Sequence, residues 1–366
     1  MSPAPAGIAK EIRRFKVAIN SACPLRCEYC LLDKEADEVL PRRAMKEAVD
    51  LFLRSPGDSK KLLLYGGEPM LEFAAVRDIV DHASARAAEL GKTLCSTVAT
   101  SGVVLRDEDL AAMRARDMHM SISIDGTAAS HDRFRRYKDG RASHARIAEN
   151  VPRAIAALGT RAVTALMCVH PDNAPRMLED FDSLVSLGFE NVNIEVVHGF
   201  TWPKESLDAF ERDLCVVGRR VREAIAAGRF LFLESFAIPL QREPVAEKMC
   251  PFHSCLEVFP DGSFSFYPFP FVAGLENRPR VTIGSVAKGF IPRYRDCRFD
   301  AGSERCRGCT REYYTLPGLS EGNEPYEQRT RMMEQWIREI ALDAAQDPAC
   351  RAYLREAVLR SSMGYR

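Results

Sequence analysis

The chain has 366 residues, 46% of them hydrophobic, and 51 Lys+Arg balance 51 Asp+Glu for a formal net charge of zero. That is enough apolar material for one large domain with a smaller one attached, and the even balance shows no basic footprint for nucleic acid. No long uncharged apolar run suggests a transmembrane helix, and the N-terminal MSPAPAGIAKEIRRFK lacks the apolar centre of a secretory signal. Neither a nucleic-acid nor a membrane partner is therefore expected. Twelve cysteines without such a signal point to metal or redox chemistry in a reducing cytoplasm rather than to disulfides.

Up to about residue 230, short β-branched runs alternate with longer amphipathic ones. FKVAIN, KKLLLYGG, LCSTVATSG, HMSISIDG, AVTALMCVH and NVNIEVVHG predict strands. RAMKEAVDLFLR, EFAAVRDIVDHASARAAEL, DEDLAAMRARD, ARIAENVPRAIAAL, RMLEDFDSLVSLG and LDAFERDLCVVGRRVREAIAAG predict helices. Six β–α units in series predict a parallel α/β architecture, as an open sheet or a barrel, with active residues at the carboxyl ends of the strands. From about Lys248 the texture shifts to Pro, Phe, Gly and Cys, and VFPDGSFSF predicts a hairpin around Asp261-Gly262. A charged helical tail begins near Glu324, and a boundary is placed near residues 235–248.

Directly after the first strand comes SACPLRCEYCLL, with Cys23, Cys27 and Cys30 within eight residues. Composition alone would place this C-x3-C-x2-C pattern in the chain with a chance of roughly one in a hundred. A structural zinc site would need a fourth ligand close by, and the next ligand types, His82 and Cys95, belong to other β–α units. Iron–sulfur clusters are held by thiolates at such spacings, and three protein ligands leave one iron open for a substrate or cofactor.

The C-x3-C-x2-C loop, with Tyr29 before its last cysteine, resembles the signature of radical S-adenosylmethionine (SAM) enzymes. The resemblance implies that Cys23, Cys27 and Cys30 hold a [4Fe–4S] cluster whose open iron chelates SAM. It also implies that reductive cleavage of SAM gives a 5′-deoxyadenosyl radical that abstracts a substrate hydrogen. Gly66-Gly67-Glu68-Pro69 resembles the family's GGEP segment, which lines the site for the SAM amino group; the glycines would admit close backbone approach to the ligand. SISIDGTAASHDRFRR is similar to the S-x-D-G…H-D-x-x-R stretch of the subfamily that modifies peptides and proteins. That similarity makes Ser123 and Arg135 candidate partners of the SAM carboxylate, with Asp125 beside them; the plain readings are a capping serine and a surface arginine. Where the subfamily often has Thr-Asn-Gly, this chain has Thr100-Ser101-Gly102, so a SAM contact there would be made by a serine.

Further on, CPFHSCLEVFPDGSFSFYP resembles the start of a SPASM or twitch domain, although Phe269 stands where a cysteine is expected. Cys255 is then a substitute ligand, and Cys306-x2-Cys309 resembles the next pair. Counting four thiolates per cubane favours one auxiliary [4Fe–4S] cluster on Cys250, Cys255, Cys306 and Cys309, with Cys297 as the rival to Cys255 and zinc on the same cysteines as the plain alternative. His253 is read as a loop residue. Cys95 and Cys215 read as buried small hydrophobes. Cys168 and His170 share a face of the fifth strand, where either packs in the core or meets substrate, and a thiol there would return a hydrogen atom to a product radical. Asn193 and Glu195 alternate on the sixth strand, where Glu195 is a substrate contact, a proton acceptor or a salt-bridged structural group.

The resemblance thus implies a partial (β/α)6 TIM-like barrel, residues 1–235, as the radical SAM core. An α+β SPASM/twitch-like auxiliary domain follows at 236–325, with a helical tail at 326–366 read as a solvated amphipathic helix packed on the body. A flavodoxin- or ferredoxin-type reductant would supply electrons. The expected substrate is a peptide or protein side chain. The first predicted strand begins at Phe15, so no N-terminal leader-binding domain of the kind many maturases carry is expected, which weighs against the peptide. The alternatives are a twitch-type dehydrogenase of a small aminocyclitol or sugar, and a non-catalytic zinc or cluster scaffold.

Overall fold

The computed structural model describes residues 11–30, 32, 38–197, 200–234, 255–266, 282–292 and 324–360. Seven parallel strands lie side by side in chain order: β1 (Arg14–Ala18), β2 (Ser59–Tyr65), β3 (Thr93–Thr100), β4 (His119–Ser123), β5 (Val163–Val169), β6 (Asn191–Val196) and β7 (Phe232–Leu233). Helices α1 (Arg42–Leu53), α2 (Phe73–Glu89), α3 (Asp107–Arg114), α4 (Ala128–Phe134), α5 (His144–Leu158), α6 (Met177–Ser186) and α7 (Lys204–Ala226) make the crossovers. This is the predicted β–α series, a mostly parallel α/β fold consistent with a partial TIM-like barrel. β2, β5 and β6 are buried along most of their length, as strands covered on both faces must be. The apolar faces of α1, α5 and α7 complete the core with Met45, Phe52, Ile147, Phe210 and Val217.

The later segment continues the same sheet. β8 (Cys255–Val258) pairs in parallel with β1, so that Arg14 faces Cys255 and Lys16 faces Glu257. The predicted hairpin forms as β8 turns back antiparallel into β9 (Ser263–Phe266). β10 (Thr282–Ser285) and β11 (Gly289–Phe290) extend it. The tail forms α8 (Glu324–Gln346) and α9 (Pro348–Arg360), and α8 packs on α7. The indole of Trp336 lies 2.5 Å from where a β-carbon on Gly218 would stand, so only glycine leaves room for this seat. Arg222 of α7 pairs with Glu339 at 2.9 Å and Asp343 at 2.6 Å across the same interface. The tail is therefore an amphipathic helix packed on the body, as expected. Among the described residues, no helix is long and apolar enough to cross a membrane.

Candidate active site

Two loops run together past the carboxyl ends of β1 and β2. Gly67 N–H donates to the Asn20 carbonyl at 2.8 Å and Glu68 N–H to the Ala22 carbonyl at 2.8 Å. Asn20 Nδ2 donates back to the Glu68 carbonyl at 3.2 Å. The glycines were expected to let a ligand approach; here what approaches closely is the chain itself. A β-carbon on Gly66 would overlap the Asn20 carbonyl, and one on Gly67 the Ser21 and Ala22 carbonyls, just before Cys23.

The other side of the cysteine loop is tied to the segment after α4. Arg26 N–H donates to the Arg136 carbonyl at 2.8 Å, Glu28 N–H to Phe134 at 2.9 Å, and Lys138 N–H to Pro24 at 3.0 Å. The loop thus carries three cysteines outside any disulfide between two backbone clamps, Cys23 buried and Cys27 and Cys30 half-buried. Among the described residues no three His, Cys, Asp or Glu side chains gather closely enough for a single metal ion. A cubane needs something else, one thiolate for each of three irons, and this loop supplies that donor set.

Glu68 is fully buried, and its carboxylate accepts from Met70 N–H at 3.0 Å, Thr100 Oγ1 at 2.7 Å, Ser101 N–H at 2.8 Å and Ser101 Oγ. Burial pushes its pKa up, against these donors. Glu68, Thr100 and Ser101, which the sequence offered as SAM contacts, therefore bind one another and weld the β2 turn to the end of β3. Pro69 opens the short 3-10 turn whose Met70 N–H is one of those donors.

A second hub is Asp125, fully buried at the end of β4. Its Oδ2 accepts from Arg135 Nε at 2.8 Å and from the Tyr29 hydroxyl, and its Oδ1 from the Cys168 N–H at 2.9 Å. The Arg135 guanidinium lies 5.1 Å from the centre of the Tyr29 ring. Burial pushes the Asp125 carboxyl up, but the Arg135 charge and its hydrogen bonds outweigh this and hold the group below the usual carboxylate range. Arg135 is thus a buried ion-pair partner rather than a surface arginine.

The inward residues of β1 to β6 enclose a cavity of about 270 Å³. Arg14, Lys16, Leu63, Ala99, Ser121, Leu166, Cys168, Asn193 and Glu195 line it, with Tyr29 at the cysteine loop. Ser123 follows Ser121 two residues on and shares its face. Cys168 and Glu195 are register partners on β5 and β6. Burial pushes the Cys168 thiol up to about 12, so it is a neutral S–H. Glu195 accepts from Asn193 Nδ2 at 3.0 Å and from Arg329 Nη1 of α8 at 2.8 Å. The sheet's inner face also carries Glu257, beside Lys16 and accepting from the Tyr65 hydroxyl. His170 packs instead between Phe134 and Phe200, 4.4 Å from each ring centre.

Cys255 is buried next to Arg14, whereas Cys250, Cys297, Cys306, Cys309 and His253 lie outside the described residues. Cys95 and Cys215 are half-buried, not fully buried as expected. The sequence reading missed Lys16, Glu257, Tyr65 and Arg329. Lys16 had a signal, a charge flanked by Phe15 and Val17 in a strand; Arg329 had none, in a helix rich in charged residues.

The fold and site define an α/β enzyme whose first βα loop offers three thiolates. Residues 17–185, just under half of the chain, match the model of the radical SAM superfamily. The chain is 23% identical over 154 residues to a serine-type anaerobic sulfatase-maturating enzyme of Bacteroides thetaiotaomicron, a match covering 40% of this chain and 37% of that one. The chain thus spans less than half the length of the curated relatives it matches. Its fold is similar to that of anSMEcpe with bound AdoMet and Cp18Cys peptide, with TM-score 0.64 at 12% identity over 91% of this chain and 99% of that one. It is also similar to Streptococcus suis SuiB bound to precursor peptide SuiA, with TM-score 0.50 at 13% identity over 72% and 61%.

Proposed function

We propose that this radical SAM enzyme is a maturase that modifies a peptide or protein side chain. The observation that carries the reading is the three-thiol loop, clamped between the Gly66-Gly67 turn and the Phe134–Lys138 segment and facing a cavity that ends in Cys168 and Glu195. When bound, the cluster would supply the electron that cleaves SAM to methionine and a 5′-deoxyadenosyl radical. Cys23, Cys27 and Cys30 would hold that cluster, and Ser123 would face the ligand.

A peptide substrate is supported by the names of the similar proteins, a sulfatase-maturating enzyme and a protein bound to its precursor peptide. A cavity of about 270 Å³ has room for a side chain rather than a folded segment. Glu195 would contact that side chain or accept a proton from it, and the neutral Cys168 thiol would be in reach as a hydrogen donor. One auxiliary [4Fe–4S] cluster on Cys250, Cys255, Cys306 and Cys309, and a flavodoxin- or ferredoxin-type reductant in a reducing cytoplasm, complete the reading.

Anaerobic reconstitution tests it. Two cubanes give about eight irons per chain, and dithionite with SAM should release 5′-deoxyadenosine. Replacing Cys23, Cys27 and Cys30 together with Ala should abolish that release. Retained release refutes the assignment, and about four irons in the wild type removes the auxiliary cluster.

A further inference from the structure

Arg329 enters the barrel from far outside it in sequence. It is 3% exposed, and its Nη1 donates both to Glu195 Oε2 at 2.8 Å and to the Ile194 carbonyl of β6. Glu195 lines the cavity beside Cys168, so the guanidinium neutralises a carboxylate that faces the proposed substrate space. The helix that carries Arg329 is held by independent contacts. Trp336 sits over Gly218, Arg222 reaches Glu339 and Asp343, and Gln328 Nε2 donates to Glu211 at 2.7 Å. The Arg329 side chain therefore reaches Glu195 from a fixed base.

We propose that Arg329 is the positioning residue for Glu195 and that α8, lying behind β6, holds the Glu195 side of the substrate cavity in place. The proposal rests on reading the barrel cavity as the substrate site. One planar nitrogen whose two N–H groups are shared between a β6 carbonyl and a β6 carboxylate fixes the carboxylate's orientation more firmly than a freely rotating point charge does. Asn193 holds the other oxygen, so the acid is presented to the cavity in one rotamer with its charge compensated. Without the guanidinium, the half-buried carboxylate would lose its ion-pair partner from α8 and would turn toward water, opening the β6 side.

The Cys168 thiol reports this opening, because it lines the same cavity as the register neighbour of Glu195. The reconstituted enzyme, kept anaerobic, is treated with iodoacetamide, and alkylation of Cys168 is followed by peptide mass mapping. In Arg329→Met the rate should rise about tenfold or more. In the double variant Arg329→Met with Glu195→Gln it should return close to wild type, because the uncompensated charge has gone. Arg329→Lys, which keeps a cation but not the planar guanidinium, should fall between, and it carries the test if Arg329→Met fails to fold. A wild-type rate in Arg329→Met or Arg329→Lys overturns the proposal. So does a double variant as fast as Arg329→Met, because packing alone would then explain the effect. Labelling needs neither SAM nor a reductant, so its failure is separate from failure of the radical SAM reading.

Discussion

Tyr29 and Asp125 join the cluster loop to the end of β4: the phenol donates to a carboxylate that also holds Arg135 and the β5 backbone at Cys168. A residue between the last two cysteines is therefore set by a buried acid just past β4, three crossovers later in the chain. Replacing Asp125 with Asn keeps the volume and removes the charge, leaving Arg135 buried without its counter-ion. The loss should be about 3 kcal/mol in urea unfolding at pH 7. The wild-type carboxyl titrates below its unfolded value, so the gap between the two proteins should hold down to the ordinary carboxylate range and close only at more acid pH.

His131 acts in the same direction at less acid pH. It is fully buried, its Nδ1 accepts the Asp125 N–H at 3.2 Å, and its Nε2 meets Ser143 Oγ at 3.0 Å. Burial depresses its pKa to about 4. Between the unfolded value and that figure the unfolded chain binds the extra proton, so stability should fall by up to about 3 kcal/mol as pH drops from roughly 6.5 to 4. Thermal or urea midpoints across that window check it, and His131→Gln should flatten the curve.

Glu68→Gln puts an amide where four donors need acceptors. One N–H, from Ser101 or Met70, would face another, at a cost of about 2 kcal/mol. The folded carboxyl titrates above its unfolded value, so wild-type stability should decline as pH rises through that interval, and the variant should lose the decline. Parallel urea titrations of the two proteins decide it.

Gly67→Ala should act on the cluster loop from outside it. Its methyl would overlap the Ser21 and Ala22 carbonyls, which can move only by shifting Cys23. A lowered melting temperature together with reduced iron uptake on reconstitution is expected; normal uptake would show that the loop tolerates the shift.

The parallel strands and their helices were legible because each is a local pattern, and the C-x3-C-x2-C loop and the Asp261-Gly262 hairpin are local as well. Partnerships across the sheet were not. Glu68 with Thr100 and Ser101, and Glu195 with Arg329, are chosen by three-dimensional proximity, which no spacing encodes. A polar residue near a strand end reads as a ligand contact until its protein partner is known. The pairing of Cys255 with Arg14 was hidden for the same reason, since β8 reads as one arm of a hairpin and shows nothing of the strand on its other side.

That pairing also orders events during folding. β1 comes early in the chain and its neighbour β8 late, so the ladder between them closes a very long loop, a slow kind of contact to make. Until it closes, β1 has β2 on one side and an open edge on the other, and the cysteine loop hangs from a strand only half enclosed. On the proposed function, iron and sulfide would reach Cys23, Cys27 and Cys30 most easily in the interval before β8 docks, and a chain that docked it too early would fold without the proposed cluster.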